Sequence, residues 1–203
     1  MRAIVHRLYP GATIVVVASG PSLCQADVVD TVSFPTIAVN DAYRLMPFAS
    51  MLFGGDLRWW IWNPAAQLMR CPKYSLHASV TPPIQRLERT GQDGLEVEPT
   101  GLRSGGHSGY AAMNLAYHLV GDTGTLVLLG YDMQKPVEGP AHFFGDHPDQ
   151  SAPRFDQWIP KYLDLYEALT ARGVTVWNCS RETAIPSIPR KPLREALPCS
   201  TFR

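Results

Sequence analysis

The stretch TIVVVA at residues 13–18, followed by SGPS at residues 19–22, decides the fold class of this 203-residue chain. A continuous run of mostly β-branched residues is typical of a strand buried on both faces, as in parallel sheets. The Gly-Pro step then ends the strand, and Ser22 is a candidate N-cap for a following helix. A strand, a tight turn and a helix in this order predict the start of a parallel α/β fold.

The same alternation of strands and helices continues along the chain. Nearly every predicted strand ends in a polar or glycine-containing turn, and residues 80–106 are predicted to be irregular. We therefore expect one domain over residues 1–203, an α/β fold with a Rossmann-like, mostly parallel sheet and helices on both faces. The later predicted strands cover residues 36–39, 50–53, 73–78, 125–129 and 174–177, and the main predicted helices cover residues 57–69, 107–119 and 155–172.

Proline is unusually frequent, with 18 residues in the chain, about twice the ordinary share of ~5%. The prolines crowd into a predicted short lid loop at about residues 133–153 and into a proline-rich tail at residues 184–203. Both segments follow predicted strand ends, so we interpret the prolines as shaping loops beside the predicted ligand edge of the sheet.

Composition excludes several classes of function. Eighteen basic and 18 acidic side chains give a formal net charge of zero, which disfavours a nucleic-acid partner. No segment reaches the ~20 apolar residues of a membrane span, and the N-terminus lacks a signal-peptide pattern. The scattered cysteines predict a cytoplasmic location and no zinc site, while a homo-oligomer remains open. These cysteines are Cys24, Cys71, Cys179 and Cys199.

The turn after the first strand is a candidate phosphate or nucleotide site. A glycine lets the backbone turn sharply, and the start of a helix offers unpaired N–H groups and a positive dipole end. The turn matches neither the dinucleotide fingerprint nor the P-loop pattern, and the alternative is a plain strand-to-helix turn. Its residues are Ser19, Gly20, Pro21 and Ser22.

A second glycine-rich turn, RSGGHSGY at residues 103–110, leads into the most convincing predicted helix. This arrangement also suits an anion. Ser108 is a candidate both for the helix cap and for a hydrogen bond to a ligand, with Gly109 beside it. The alternative is a flexible linker followed by a cap.

Two histidines, His142 and His147, lie in the predicted lid loop within the segment HFFGDHP. Histidine has a side-chain pKa near working pH, so either residue is a candidate general base. A structural role or a metal site is the alternative, although this spacing on a loop is not typical of metal ligands.

Asp56 and Asp132 each follow a predicted strand. A carboxylate at this position could hold a ribose hydroxyl, a polar group of a substrate or Mg²⁺. The alternatives are helix capping by Asp56 and hydrogen bonding within a loop by Asp132.

Taken in order, several segments resemble one known superfamily over about residues 12–190. It comprises the bacterial sialyltransferases of the Campylobacter type and a wider domain of phage and prokaryotic proteins that includes archaeal 6-hydroxymethylpterin pyrophosphokinase. The segments are VVVASGPSL, VNDAY, FGGD, SGGHSGYAAMNLAYHL, LVLLGYDM and VTVWNCSRETAIPSIP.

This resemblance implies a glycosyltransferase-like enzyme that takes a nucleotide-activated donor, similar to a CMP-sugar, and an unknown acceptor. It implies no tightly bound cofactor and no metal for the transfer, with His142 or His147 deprotonating the acceptor hydroxyl. The same resemblance implies contacts with the nucleotide from Gly20, Pro21 and Ser22, and a contact with the phosphate or donor sugar from Asn40. It implies that the donor pocket is lined by Ser108 and Gly109. It also places Gly130, Tyr131 and Asp132 beside the nucleoside, and Asn178, Cys179 and Ser180 around the base.

Two other functions remain open at this point. The pyrophosphokinase branch would use ATP and Mg²⁺ on a pterin-like heterocycle, with Asp56 and Asp132 holding the metal. A phage accessory protein that binds a ligand without catalysis is the other.

Overall fold

A computed structural model describes residues 2–136, 138–140, 142–145 and 152–198 of the chain. Nine strands and six α-helices lie within these ranges. The strands are β1 (Thr13–Val17), β2 (Thr36–Val39), β3 (Met51–Phe53), β4 (Lys73–Ser75), β5 (Ile84–Arg86), β6 (Glu88–Gly91), β7 (Gly101–Arg103), β8 (Thr125–Leu129) and β9 (Thr175–Asn178). The helices are α1 (Gln25–Val29), α2 (Leu57–Trp62), α3 (Ser108–Val120), α4 (Phe155–Trp158), α5 (Lys161–Ala171) and α6 (Leu193–Ala196).

Seven strands form one parallel sheet in the order β5-β4-β3-β2-β1-β8-β9, and β6 pairs with β7 in a separate small sheet. The chain builds outward from β1 to β5, then crosses back and continues on the other side of β1 with β8 and β9. The strand order therefore reverses between β1 and β8. In open parallel sheets this reversal opens a crevice at the carboxyl ends of the strands.

Helices cover both faces of the sheet. Ile14 and Val16 of β1 pack into the core that holds α3 and α5. Val15 and Val17 pack into the opposite core, which holds α1 and α2. The apolar run of β1 is uninterrupted because its side chains are buried on both faces of the sheet. The parallel sheet with helices on both faces confirms the predicted α/β fold.

Proline breaks two of the predicted helices. The helix predicted over residues 57–69 ends at Trp62, and a 3-10 helix, Pro64–Leu68, follows it. The helix predicted over residues 155–172 is divided into α4 and α5 at Pro160. A proline has no N–H for the helical ladder, and its ring disfavours helical geometry at the preceding residue.

Two other local predictions were wrong. Residues 80–106 are not wholly irregular, because they contain β5, β6 and β7. Ser22 does not cap the first helix, since α1 begins at Gln25 with Cys24 in the N-cap position. The side chain and N–H of Ser22 instead bond to Asp132, a partner 110 positions away in the chain.

The proline-rich tail pairs with the outer edge of β9 at one residue, Asn178. Asn178 donates its backbone N–H to the carbonyl of Pro189, and its own carbonyl accepts the N–H of Lys191, at 2.9 and 3.2 Å. The tail therefore takes the place of a further neighbouring strand at that point. Among the described residues, no helix is both long enough and apolar enough to cross a membrane.

Candidate functional site

A cleft of about 980 Å³ opens at the carboxyl edge of the sheet, where the strand order reverses. It is bounded by the turns after β1, β2, β3 and β8, by the start of α3 and by α4. The structure brings most of the predicted site residues together here. Those that line the cleft are Ser19, Gly20, Pro21, Asn40, Asp56, Ser108, Gly109, Gly130 and His142.

The other predicted residues do not line the cleft, and His147 lies outside the described residues. Their polar groups are bonded inside the protein, behind the cleft wall. These residues therefore do not contact a nucleotide bound in the cleft. These residues are Ser22, Tyr131, Asp132, Asn178 and Ser180.

Residues 19–22 and 130–132, which we call the β1–β8 junction, bond to one another. The N–H of Gly20 donates to the carbonyl of Gly130 at 2.9 Å. The N–H and hydroxyl of Ser22 donate to the two carboxylate oxygens of Asp132 at 2.7 and 2.9 Å. Pro21 has no N–H. The predicted phosphate donors of this turn are thus already engaged, so it serves as a wall of the cleft.

The junction is also packed without spare room. A Cβ on Gly20 would lie 2.3 Å from Asp132 Oδ1 and 2.5 Å from the carbonyl of Gly130. Gly130 has φ +68°, and a Cβ there would lie 2.6 Å from the carbonyl of Ala18. Burial raises the pKa of the Asp132 carboxyl, although the two hydrogen bonds from Ser22 act in the opposite direction.

A buried network links the junction to α3 and β9. The hydroxyl of Tyr131 donates to the carbonyl of Gly109 at 2.8 Å, and the N–H of Tyr131 donates to Ser180 Oγ at 2.7 Å. The N–H of Ser180 in turn donates to Asn178 Oδ1 at 3.1 Å. These residues position Gly109 from behind, which is a different role from the nucleoside contact that the resemblance implies.

Residues 105–109, which we call the α3 turn, differ from the junction. Gly105 and Gly106 have φ of +58° and +91°, and no side chain of the described residues caps α3. The hydroxyl of Ser108 accepts the N–H of Gly55 at 3.3 Å and does not cap the helix, so the prediction of a Ser108 cap was wrong. Within the described parts of the chain, no acceptor meets the N–H groups of Ser108 and Gly109. The start of a 13-residue helix is therefore open toward the cleft.

His107 is a cleft residue that sequence reasoning missed. Burial, together with the charge of Lys161, lowers its pKa to about 3, so the ring is neutral at pH 7. Its ring packs 5.0 Å from Trp158 and 5.6 Å from Tyr162, and Nε2 is buried with no partner among the described residues. The glycines on either side of His107 were a visible signal, but the aromatic neighbours come from distant helices.

The cleft carries more positive than negative side chains in its described lining. Arg58, Arg154 and Lys161 lie there together with Asp56 and Asp156. Lys161 also pairs with Asp93 at 2.9 Å. Asp93, outside the lining, thus balances the one extra cation, and an anionic ligand is favoured here by the N–H groups at the start of α3 rather than by net side-chain charge.

Asn40 presents a polar side chain to the cleft from the end of β2. Its φ of +49° lies in the left-handed region, which asparagine tolerates better than most residues. Its Oδ1 is buried and meets no partner within the described ranges. The neighbouring Asp41 is buried, accepts the indole N–H of Trp59 at 2.7 Å and pairs with Arg44 at 2.7 Å. This anchoring holds the turn in which Asn40 is strained.

His142, within the segment predicted to be a lid loop, lines the cleft. Its Nδ1 lies 3.3 Å from the carbonyl of Ser19, and its ring stacks on Phe144 at 5.1 Å. A carbonyl only accepts, so Nδ1 is the donor in this contact, and in a neutral ring Nε2 is then the nitrogen with the lone pair. This is the tautomer that a general base acting through Nε2 requires.

The two candidate magnesium ligands are placed differently. Asp56 lines the cleft, whereas both carboxylate oxygens of Asp132 accept hydrogen bonds from Ser22. No group of three or more His, Cys, Asp or Glu side chains that could hold a metal ion occurs in the part of the chain that the structure describes. The magnesium alternative therefore gains no support from the geometry.

Comparison with known proteins adds no relative. No family model, no curated protein and no solved structure matches this chain. The resemblance to the sialyltransferases and to the pyrophosphokinase domain thus stays a prediction from sequence, and the function has to be argued from the cleft itself.

Proposed function

We propose that the chain is a glycosyltransferase-like enzyme that transfers a group from a nucleotide-activated donor to an acceptor hydroxyl. The observation that carries the proposal is the α3 turn, where two backbone N–H groups that meet no acceptor among the described residues line a cleft at the reversal of strand order. Helix N-termini of this kind bind phosphate, and this crevice is where parallel sheets bind nucleotides.

The donor phosphate is assigned to the α3 turn and its surroundings. The N–H groups of Ser108 and Gly109 would donate hydrogen bonds to its oxygens. Lys161 lines the same cleft near His107 and would add a positive charge. The side-chain amide of Asn40 would donate to the phosphate or to the donor sugar. Such donors stabilise the charge that develops on the phosphate as it leaves.

The acceptor is activated by His142 in this proposal. The acceptor oxygen attacks the anomeric carbon of the donor, and the bond from that carbon to the phosphate oxygen breaks. The acceptor proton passes to His142 Nε2, and the bonding electrons leave with the nucleotide phosphate. The contact of Nδ1 with the carbonyl of Ser19 stabilises the imidazolium that forms.

Titration calorimetry with CMP-, UDP- and GDP-sugars, in EDTA and again with Mg²⁺, tests the binding step. We expect one class of nucleotide to bind without metal, and Lys161→Met to weaken that binding about tenfold. Lys191→Met is the matched control, because Lys191 lies outside the cleft. Failure of every nucleotide to bind would overturn the proposal, and binding only of ATP with Mg²⁺ would favour the pyrophosphokinase function.

Replacing the proposed base separates catalysis from binding. His142→Gln should keep nucleotide affinity within about threefold. It should lower the rate at which the transfer reaction frees the nucleoside phosphate from the donor by a factor of roughly 10²–10⁴. Release of the nucleoside phosphate in the presence of an acceptor mixture is the measurement. Unchanged turnover would remove His142 from the mechanism, and nucleotide binding with no turnover in the unmodified protein would favour the non-catalytic function.

A further inference from the structure

Two helices of the cleft carry the same three kinds of side chain. Asp56, Arg58 and Trp62 line the cleft at α2, and Arg154, Asp156 and Trp158 line it at α4. A carboxylate, a guanidinium and an indole thus occur twice, and none of the six is used by the donor phosphate or by the base.

The two helices approach the cleft from opposite faces of the sheet. Trp59 and Trp60 anchor α2 in one hydrophobic core. On the other side, Trp158 packs on His107 and Phe155 at 5.0 and 6.0 Å, beside α5, whose buried residues belong to the other core. The two indoles are therefore presented by two separate walls.

Neither of the two indoles is fully buried. Trp62 is 37% exposed with Arg58 5.8 Å from its ring, whereas its neighbours Trp59 and Trp60 are 4% and 1% exposed. Helix α4 buries none of its residues. Partly exposed aromatic rings in a concave site mark a ligand surface, since water contact with them is unfavourable.

We propose that these two walls form a carbohydrate acceptor subsite, which rests on the proposed transferase function. The apolar face of a pyranose ring packs on an indole. Its hydroxyls both donate and accept hydrogen bonds, so adjacent hydroxyls suit a carboxylate beside a guanidinium. A nucleobase can also stack on an indole and bond to a guanidinium or carboxylate, but a single base occupies one such set, whereas the repetition of the set on two walls suits the successive rings of an oligosaccharide.

Immobilised neutral oligosaccharides built of glucose, galactose, mannose or N-acetylglucosamine are the probes for this subsite. We expect the protein to bind at least one of them, and tryptophan fluorescence to change when that sugar is titrated in solution. Trp62→Ala should weaken the sugar at least tenfold and Trp62→Phe less than about threefold, because a phenyl ring still stacks. Trp177→Phe, which changes an indole outside the cleft, should leave the affinity unchanged.

The outcomes keep this inference separate from the proposed function. Trp158→Ala is the equivalent variant on the other wall, but it also removes packing against His107 and the protein could fail to fold. Trp62→Ala changes a more exposed ring and is therefore the decisive variant. Nucleotide binding that persists in Trp62→Ala while sugar binding is lost supports the acceptor subsite. Nucleotide binding in the unmodified protein with no oligosaccharide bound overturns the subsite and leaves the transferase proposal standing. Loss of affinity for a phosphate-free nucleoside in Trp62→Ala, with sugars unaffected, would make this a nucleobase site instead.

Discussion

The β1–β8 junction and the α3 turn are both glycine-containing turns that line one cleft, yet they use their backbone N–H groups in opposite ways. In the junction, the N–H groups of Gly20 and Ser22 are bonded to Gly130 and Asp132. In the α3 turn, the N–H groups of Ser108 and Gly109 meet no acceptor among the described residues. The N–H groups of the first turn bond within the fold, and those of the second are open toward the cleft.

A glycine-rich turn is therefore not by itself an anion site. What decides is whether an acceptor elsewhere in the chain already occupies the donors. For Ser22 that acceptor is Asp132, which β8 brings to the end of β1. No equivalent acceptor lies at the start of α3 in the described ranges. The cleft leaves space there for an acceptor from a bound molecule.

The largest expected effect is on the junction. Gly20→Ala places a Cβ against Asp132 and Gly130 and should lower the free energy of unfolding by about 3 kcal/mol. Gly94→Ala is the control, because its φ of +80° is strained for alanine but nothing lies within 4 Å of the added carbon. It should cost about 1–2 kcal/mol. Urea unfolding measures both, and equal losses would mean that the junction is not closely packed.

The second effect concerns His107 of the α3 turn and its response to acid. Its pKa falls from 6.5 to about 3 on folding, so below pH 6.5 the unfolded chain binds a proton that the folded chain does not. Stability from this group is present above that pH and is lost as the pH falls, by ~1.4 kcal/mol per unit, or about 2 kcal/mol near pH 5. His107→Asn should remove this share of the acid sensitivity.

Urea unfolding of both proteins at pH 7 and pH 5 is the measurement for His107. The difference between the proteins isolates His107, because contributions from other groups, including Asp132 with its raised pKa, are common to both. An identical pH dependence in the two proteins would contradict a ring that stays neutral in the folded protein at pH 5.

The third effect tests the open N–H groups directly. Ser108→Pro removes one N–H at the first position of α3, where proline is tolerated and where the extended His107 before it is compatible. Ser108→Ala removes the same hydroxyl and keeps the N–H. We expect nucleotide affinity to be about tenfold weaker in the proline variant than in the alanine variant. Equal affinities, measured by calorimetry on folded proteins, would place the phosphate elsewhere.

The smallest effect is expected at Asp56. This residue stands in the N-cap position of α2 but makes no capping hydrogen bond. Asp56→Asn should therefore change the free energy of unfolding by less than about 0.5 kcal/mol, in contrast to the ~1 kcal/mol of a bonded cap. A larger loss in thermal or urea unfolding would show that Asp56 supports the helix rather than the cleft.

Sequence reasoning reached the parallel sheet and the location of the cleft. The apolar run of β1 and the polar turns after the strands were sufficient, because local pattern and strand polarity decide both. It could not separate Asp56 from Asp132, since the hydrogen bonds of Asp132 come from Ser22 in another turn. It also missed Lys161, Trp158 and His107, which meet only after α4 and α5 have packed on α3.

The covered edge of β9 has a consequence for the behaviour of the protein in solution. An uncovered outer strand is a template on which a second molecule can add a strand, and this is a route to aggregation. Here Pro189 and Lys191 occupy both backbone groups of Asn178, and the adjoining proline has no N–H to extend the pairing. Removing Pro189 and the residues after it would expose the backbone groups of Asn178, and we expect a self-association surface along β9, at the edge of the sheet.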